Sequence, residues 1–231
     1  DTASAGFRPK AISWVLAGGV LAGVIGPQSI ILTRDLFSPI QFAGAFAAQA
    51  VLCVVTMGVL AFVSIPRPPR HTGAGGGRPL LTVIREPRIA IAILCAVSTF
   101  ALMNLVMTAA PLAMVQCGLS PDDAALGIQW HVIAMFGPSF FTGSLVTRFG
   151  RETITSVGLS LLLVAGIVAL LGITVTHFWL ALILLGLGWN FGFIGATSML
   201  TDAQRPEERA RVQAANDFCV FGVVALASFS S

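Results

Sequence analysis

The sequence predicts an all-α integral membrane protein, a polytopic bundle of seven transmembrane helices. Three observations carry this. Of 231 residues, 56% are hydrophobic and only 10% charged, against roughly 45–50% and 25% for a soluble domain. The mean hydropathy is +0.89. The apolar residues also gather into seven runs, each of about the 20 residues needed to cross a ~30 Å hydrocarbon core as a helix. The net charge of +3 and pI near 9.0 do not point to nucleic acid, because the arginines sit in short connections between the apolar runs. Cys53, Cys95, Cys117 and Cys219 lack metal-ligand spacing and are expected as free thiols. No metal or cofactor is expected.

In chain order, residues 1–10 form a polar lead with Arg8 and Lys10. The first span, 11–32, carries Gly18, Ala22 and Gly26 at a spacing of four, followed by Pro27. Such a stripe lets a neighbouring backbone approach, and the proline permits a bend. A turn with Arg34 and Asp35 leads to the second span, 41–63. Residues 64–88 break the pattern: prolines, a glycine run at 75–77, and Arg67, Arg70 and Arg78 make a flexible linker. His71 within it reads as solvated, and 80–86 as a short interfacial helix. The third span is 89–116, the turn after it 117–123, and the fourth span 124–146. A loop at 147–151 precedes the fifth span, 153–173, which is almost wholly aliphatic. The sixth, 177–200, follows a turn at 174–176. A charged loop, 201–211, leads to the seventh, 212–231. The chain begins without Met and stops inside a truncated seventh span whose ~20 residues barely reach across the core, so it reads as a piece of a longer protein.

Basic residues set the orientation. With residues 1–10 cytoplasmic, alternation puts the arginines of 64–88, Arg148, Arg151, Arg205, Arg209 and Arg211 on that same side, and only Arg34 outside. The expected organisation is two helices in 1–63, a cytoplasmic linker at 64–88, and five helices in 89–231.

Residues 141–152 read FTGSLVTRFGRE. Gly143, Leu145, Arg148, Gly150 and Arg151 match the signature loop of the major facilitator superfamily of secondary transporters, G-x-L-a-D-r-x-G-r-r, and the chain resembles that family. Thr147 stands where the family usually has Asp, as suits a weaker second-half copy. The Gly26–Pro27 pair resembles the family's fifth-helix motif. In the family, twelve helices form two halves joined by a long cytoplasmic loop, and each signature loop follows the second helix of its half. Here the long loop follows the second span and the signature loop the second span after it, so the seven spans resemble helices five to eleven. The resemblance implies that 143–151 packs near 10–14, and that the chain alone, lacking one side of the cavity, does not transport.

Polar side chains within spans need an explanation, since each is costly in the bilayer. Asn104 and Thr108 share a face of the third span, with Met107 beside them and Pro111 a turn on. They line a cavity or make an interhelical hydrogen bond; the resemblance makes this helix a cavity-lining one. In the fourth span Gln129, Trp130 and His131 are consecutive, roughly 10 Å from the outer edge. His131 could bind solute, relay protons, or sit neutral and hydrogen-bonded. Trp189 and Asn190 lie near the middle of the sixth span among Gly186, Gly188, Gly192 and Gly195, which leave room for a stacked planar ligand or for a neighbouring helix. Gln213, Asn216 and Asp217 share a face of the seventh. Asp217 is either a coupling or gating group, with Asn216, or an interfacial residue paired with Arg209 or Arg211.

No catalytic group is expected: Ser144 and His131 stand roughly 20 Å apart along one helix, and there is no phosphate loop. The sequence reading is a secondary transporter moving a small neutral or amphipathic solute, drug-like or vitamin-like, by alternating access with protons as the coupling ion. A prokaryotic inner membrane is its expected home, with lipid and solute as partners. The alternative is a seven-helix receptor.

Overall fold

The computed structural model describes residues 8–40, 42–64 and 78–230. Residues 65–77, including Arg67, Arg70 and His71, lie outside the described residues. The chain divides into two compact units, Asp1–Ala74 and Gly75–Ser231.

Unit 1 is a pair of helices, α1 (Arg8–Thr33) and α2 (Ala43–Ala61). They close on Gly44, where an added Cβ would strike the Thr33 carbonyl. Pro27 is buried inside α1. An added Cβ at Gly18 or Gly26 would meet no atom within 4 Å, so that small-residue stripe packs nothing in this unit. The Ser29 and Thr33 hydroxyls bond back to the carbonyls of Gly26 and Ser29, at 2.6 and 2.5 Å. The apolar side chains of α2 point outward, Phe46 at 76% and Met57 at 70% exposure, as suits a surface wetted by acyl chains.

Unit 2 runs α3 (Leu80–Ile84), α4 (Pro87–Gln116), α5 (Pro121–Phe136), α6 (Ser139–Phe149), α7 (Arg151–Leu170), α8 (Val175–Ala203), a 3₁₀ turn (Pro206–Glu208) and α9 (Arg209–Ser230). Among the described residues α2, α4, α7 and α8 are long and apolar enough to cross a membrane. The pair α5–α6, bent by 44°, makes a fifth; the described apolar part of α1, Gly18–Thr33, is shorter. Helices thus occupy all seven expected positions, while five meet the length-and-composition test.

Most helix ends shift by a few residues from the sequence reading, and three departures have a local reason that bears on the site. Helix α5 starts at Pro121, because Ser120 and Asp123 form a capping box. The Asp123 amide donates to Ser120 Oγ at 3.0 Å, and the Ser120 amide to Asp123 Oδ2 at 3.2 Å. His131 therefore lies ~15 Å along its helix, deeper than expected. The fourth span is broken at Gly137–Pro138. The loop expected at 147–151 shrinks to Gly150, whose φ of +89° ends α6 and begins α7 in one residue.

Helix α8 is the centre of unit 2, and its glycines are where its neighbours touch it. An added Cβ at Gly192 would lie 2.6 Å from Thr99 Oγ1 of α4. One at Gly188 would lie 2.9 Å from the Gly158 carbonyl of α7, and one at Gly186 3.0 Å from the Met135 amide of α5. Gly195 presses on Thr155 in the same way. The glycines around Trp189 therefore admit neighbouring helices. Gly158 of α7 is the reciprocal contact: its added Cβ would lie 2.7 Å from Gly192 Cα and 2.8 Å from the Gly188 carbonyl, both backbone atoms that cannot step aside. At Gly166, on the same helix, nothing lies within 4 Å. Gly158→Ala should lower stability by about 3 kcal/mol while Gly166→Ala raises it by about 0.5–1 kcal/mol. Melting in detergent checks the pair, and equal shifts would contradict the packing.

At the end of unit 2 where α4 begins, Arg78 grips Glu208. Nε and Nη2 donate to Oε1 and Oε2 at 2.9 and 3.0 Å, and Nη1 reaches Glu86 Oε2 at 2.9 Å. Glu208 is 1% exposed and also accepts from the backbone amides of Arg78 and Arg205. The Arg78 hydrogen bonds outweigh burial and hold the Glu208 carboxyl at about 2, against an ordinary 4.5. A depressed carboxyl stabilises the fold fully above pH 4.5, and that contribution is lost as pH falls through about 2. The unfolding midpoint should drop across this window. Glu208→Gln should lower the midpoint at neutral pH and flatten the drop, as a pH series of melts would record.

Candidate substrate-binding site

Trp189 is the middle residue of α8, fourteen residues from either end. At that level an aromatic layer assembles from several helices. Trp189 stacks on Phe193 with centroids 4.9 Å apart and planes at 15°. Phe100 of α4 meets both edge-on at 5.3 Å, and Phe136, the last residue of α5, stands 6.2 Å from Trp189. Phe221 of α9 lies 6.3 Å from Phe100 and is 62% exposed. Trp189 Nε1 and Thr99 Oγ1 are buried with no hydrogen-bond partner. A wall of rings with unpaired polar atoms suits a planar solute that carries polar edge groups.

The break in α5–α6 lies at the same depth. Pro138 has no amide to give, and Asn190, fully buried on α8, reaches across the bend. Its Nδ2 donates to the Met135 carbonyl at 2.8 Å and to Ser139 Oγ at 2.5 Å, while Thr142 Oγ1 donates to its Oδ1 at 2.6 Å. A carbonyl only accepts, so the contact with Met135 fixes which end of the amide is nitrogen.

His131 is fully buried on α5, its Nδ1 donating to the Leu182 carbonyl at 2.9 Å and its Nε2 without a partner. That contact puts the proton of the neutral ring on Nδ1 and leaves Nε2 a free base. The indole of Trp179 ties the same two helices by donating to the Asp123 carbonyl at 2.9 Å.

The other sequence candidates stand apart from this layer or pair locally. Thr108 is exposed and donates to the Asn104 carbonyl at 2.8 Å; Asn104 is half-buried and hydrogen-bonded or otherwise paired. Met107 packs against the core that holds Trp189. Gln129 is half-buried and Trp130 is 42% exposed. Asp217 accepts from Gln213 Nε2 at 2.8 Å and Asn216 Nδ2 at 3.2 Å. It pairs with neither Arg209 nor Arg211, because both arginines lie one or two turns back on a helix that carries the two amides closer. Asn216 Oδ1 is buried and unpaired.

In the signature loop Thr147 turns inward on its own helix, donating to the Ser144 carbonyl at 2.8 Å. The acid that faces the loop is Asp202 of α8, 2.6 Å from Arg151. Arg148 lies over the Phe149 ring at 5.2 Å. A polar groove of about 710 Å³ runs here between Thr147, Arg151, Ser198, Asp202 and Arg209.

Compared with known proteins, residues 1–228 match the family model for the Major Facilitator Superfamily. The chain belongs to this superfamily. It is 53% identical to the riboflavin transporter RfnT of Brucella anthropi, over 99% of this chain and 58% of that protein. It is 30% identical to the uncharacterized MFS-type transporter YdeG and 28% to YddS, both of Bacillus subtilis, over 95% and 94% of this chain and 55% and 54% of theirs. The chain spans little more than half the length of the curated relatives it matches. No solved structure matches it. The chain is thus a multi-pass membrane portion of a transporter superfamily.

The sequence reading missed Phe100, Phe136, Phe193 and Phe221, which carry no local signal, and Ser139 and Thr142. The Gly137–Pro138 pair was the available clue to the break.

Proposed function

We propose that these residues form part of a secondary transporter that moves a planar, vitamin-like solute across a bacterial inner membrane, with riboflavin the substrate to test first. The observation that carries this reading is the 53% identity, across nearly the whole chain, to a protein named a riboflavin transporter. The mid-depth aromatic layer supports it: the flat ring system of the solute stacks on Trp189 and its neighbours, and the unpaired indole N–H meets a polar edge of the ring. Two halves rocking about a midplane site expose it alternately to each side, with 64–88 cytoplasmic. Protons couple the cycle through His131, whose Nε2 is available inside the bundle.

Riboflavin flux in proteoliposomes tests this, using a transporter of the relatives' full length that carries these residues. Wild type should accumulate riboflavin when a pH gradient is imposed. Trp189→Leu should raise the half-saturating concentration about fivefold or more, given about 0.5–1.5 kcal/mol per ring contact. His131→Gln should keep riboflavin binding and lose the response to the gradient. Absence of riboflavin flux in wild type under every gradient would reject the substrate, and an intact gradient response in His131→Gln would reject the coupling group.

A further inference from the structure

We propose that Asn190 is a positioning residue: it holds the break in α5–α6 at one geometry and, through the break, sets Phe136 against the aromatic layer. The inference concerns the same site and rests on the reading that this layer meets the solute.

The argument begins with the backbone. In a continuous helix the Met135 carbonyl would accept from the amide of Ser139; across the 44° bend it receives the side-chain amide of Asn190 instead. In hydrocarbon no water could replace that donor. Asn190 holds both sides of the break at once, Met135 at the end of α5, and Ser139 and Thr142 in the first turn of α6. Its side chain is short and reaches because Gly186, one turn earlier on α8, lets the α5 backbone come within contact of α8. Thr142 Oγ1 has one proton and two acceptors in range, Asn190 Oδ1 at 2.6 Å and the Pro138 carbonyl at 2.8 Å. The hydroxyl can therefore serve the bend or let go of Asn190 without becoming unpaired. Phe136, between Met135 and the break, is the ring whose placement the clamp decides, at 6.2 Å from Trp189.

Consecutive residues thus divide the work, Trp189 contributing a ring to the layer and Asn190 fixing the approach of another ring from a different helix. Being fully buried and paired at both ends, Asn190 acts on the solute at second hand.

The test follows riboflavin binding by flavin fluorescence in the full-length transporter carrying these residues, with Asn190→Leu made alone and in a Phe136→Leu background. Asn190→Leu should weaken binding about tenfold. In the Phe136→Leu background it should add less than about twofold, because the ring it places is gone. A tenfold loss that persists in that background would overturn the proposal, as would unchanged binding in the single variant. Hydrogen exchange decides the matter independently of the solute. Asn190→Leu should speed exchange at 133–142 while leaving α7 as in wild type, and no change there would also overturn it. If wild type binds no riboflavin, the substrate reading fails, and the exchange result alone judges the clamp.

Discussion

Unit 2 depends on one constraint, the approach of three helix backbones to α8. Between helices in lipid there is no hydrophobic driving force to speak of, so cohesion comes from close van der Waals contact and from polar groups that have nowhere else to turn. Gly186, Gly188, Gly192 and Gly195 supply the closeness on successive faces of α8, with Gly158 answering from α7. With α5 that near to α8, polar side chains can reach across between the two: Asn190 to Met135, Trp179 to Asp123, His131 to Leu182. Longer separations would strand those groups in a medium that offers them nothing.

The same closeness accounts for the aromatic layer. Rings from near mid-length of α4, α8 and α9 and from the last residue of α5 meet because the backbones that carry them are already fixed. A layer built on helices packed this tightly is held as one body. The break in α5–α6 is the exception inside that body. It is a place where backbone hydrogen bonding has been handed to side chains, which exchange partners more readily than a helix ladder does.

Much of this was legible in the sequence, and the remainder was hidden for physical reasons. Apolar runs with arginines at their ends located the helices, since length and burial in lipid act on averages over some twenty residues. Averages also conceal single residues. Pro138 sits within a run apolar enough to mask the break, and Ser120-Pro121-Asp122-Asp123 reads as a turn until its capping box is recognised as a helix start. Trp189 and Asn190 stood out, but their division of labour could not be read. Adjacent positions on a helix point about 100° apart, and what lies in each direction is set by other helices. The Arg151 partner was likewise invisible: the acid came from Asp202 of α8 rather than from the loop itself.

The anchorage of Arg78 bears on how movement is passed along the chain. Its guanidinium is moored to Glu86, at the head of α4, and to Glu208, 130 residues further along the chain than Arg78, at the foot of α9. One guanidinium therefore ties the head of α4 to the foot of α9, so neither helix end shifts without drawing on the other.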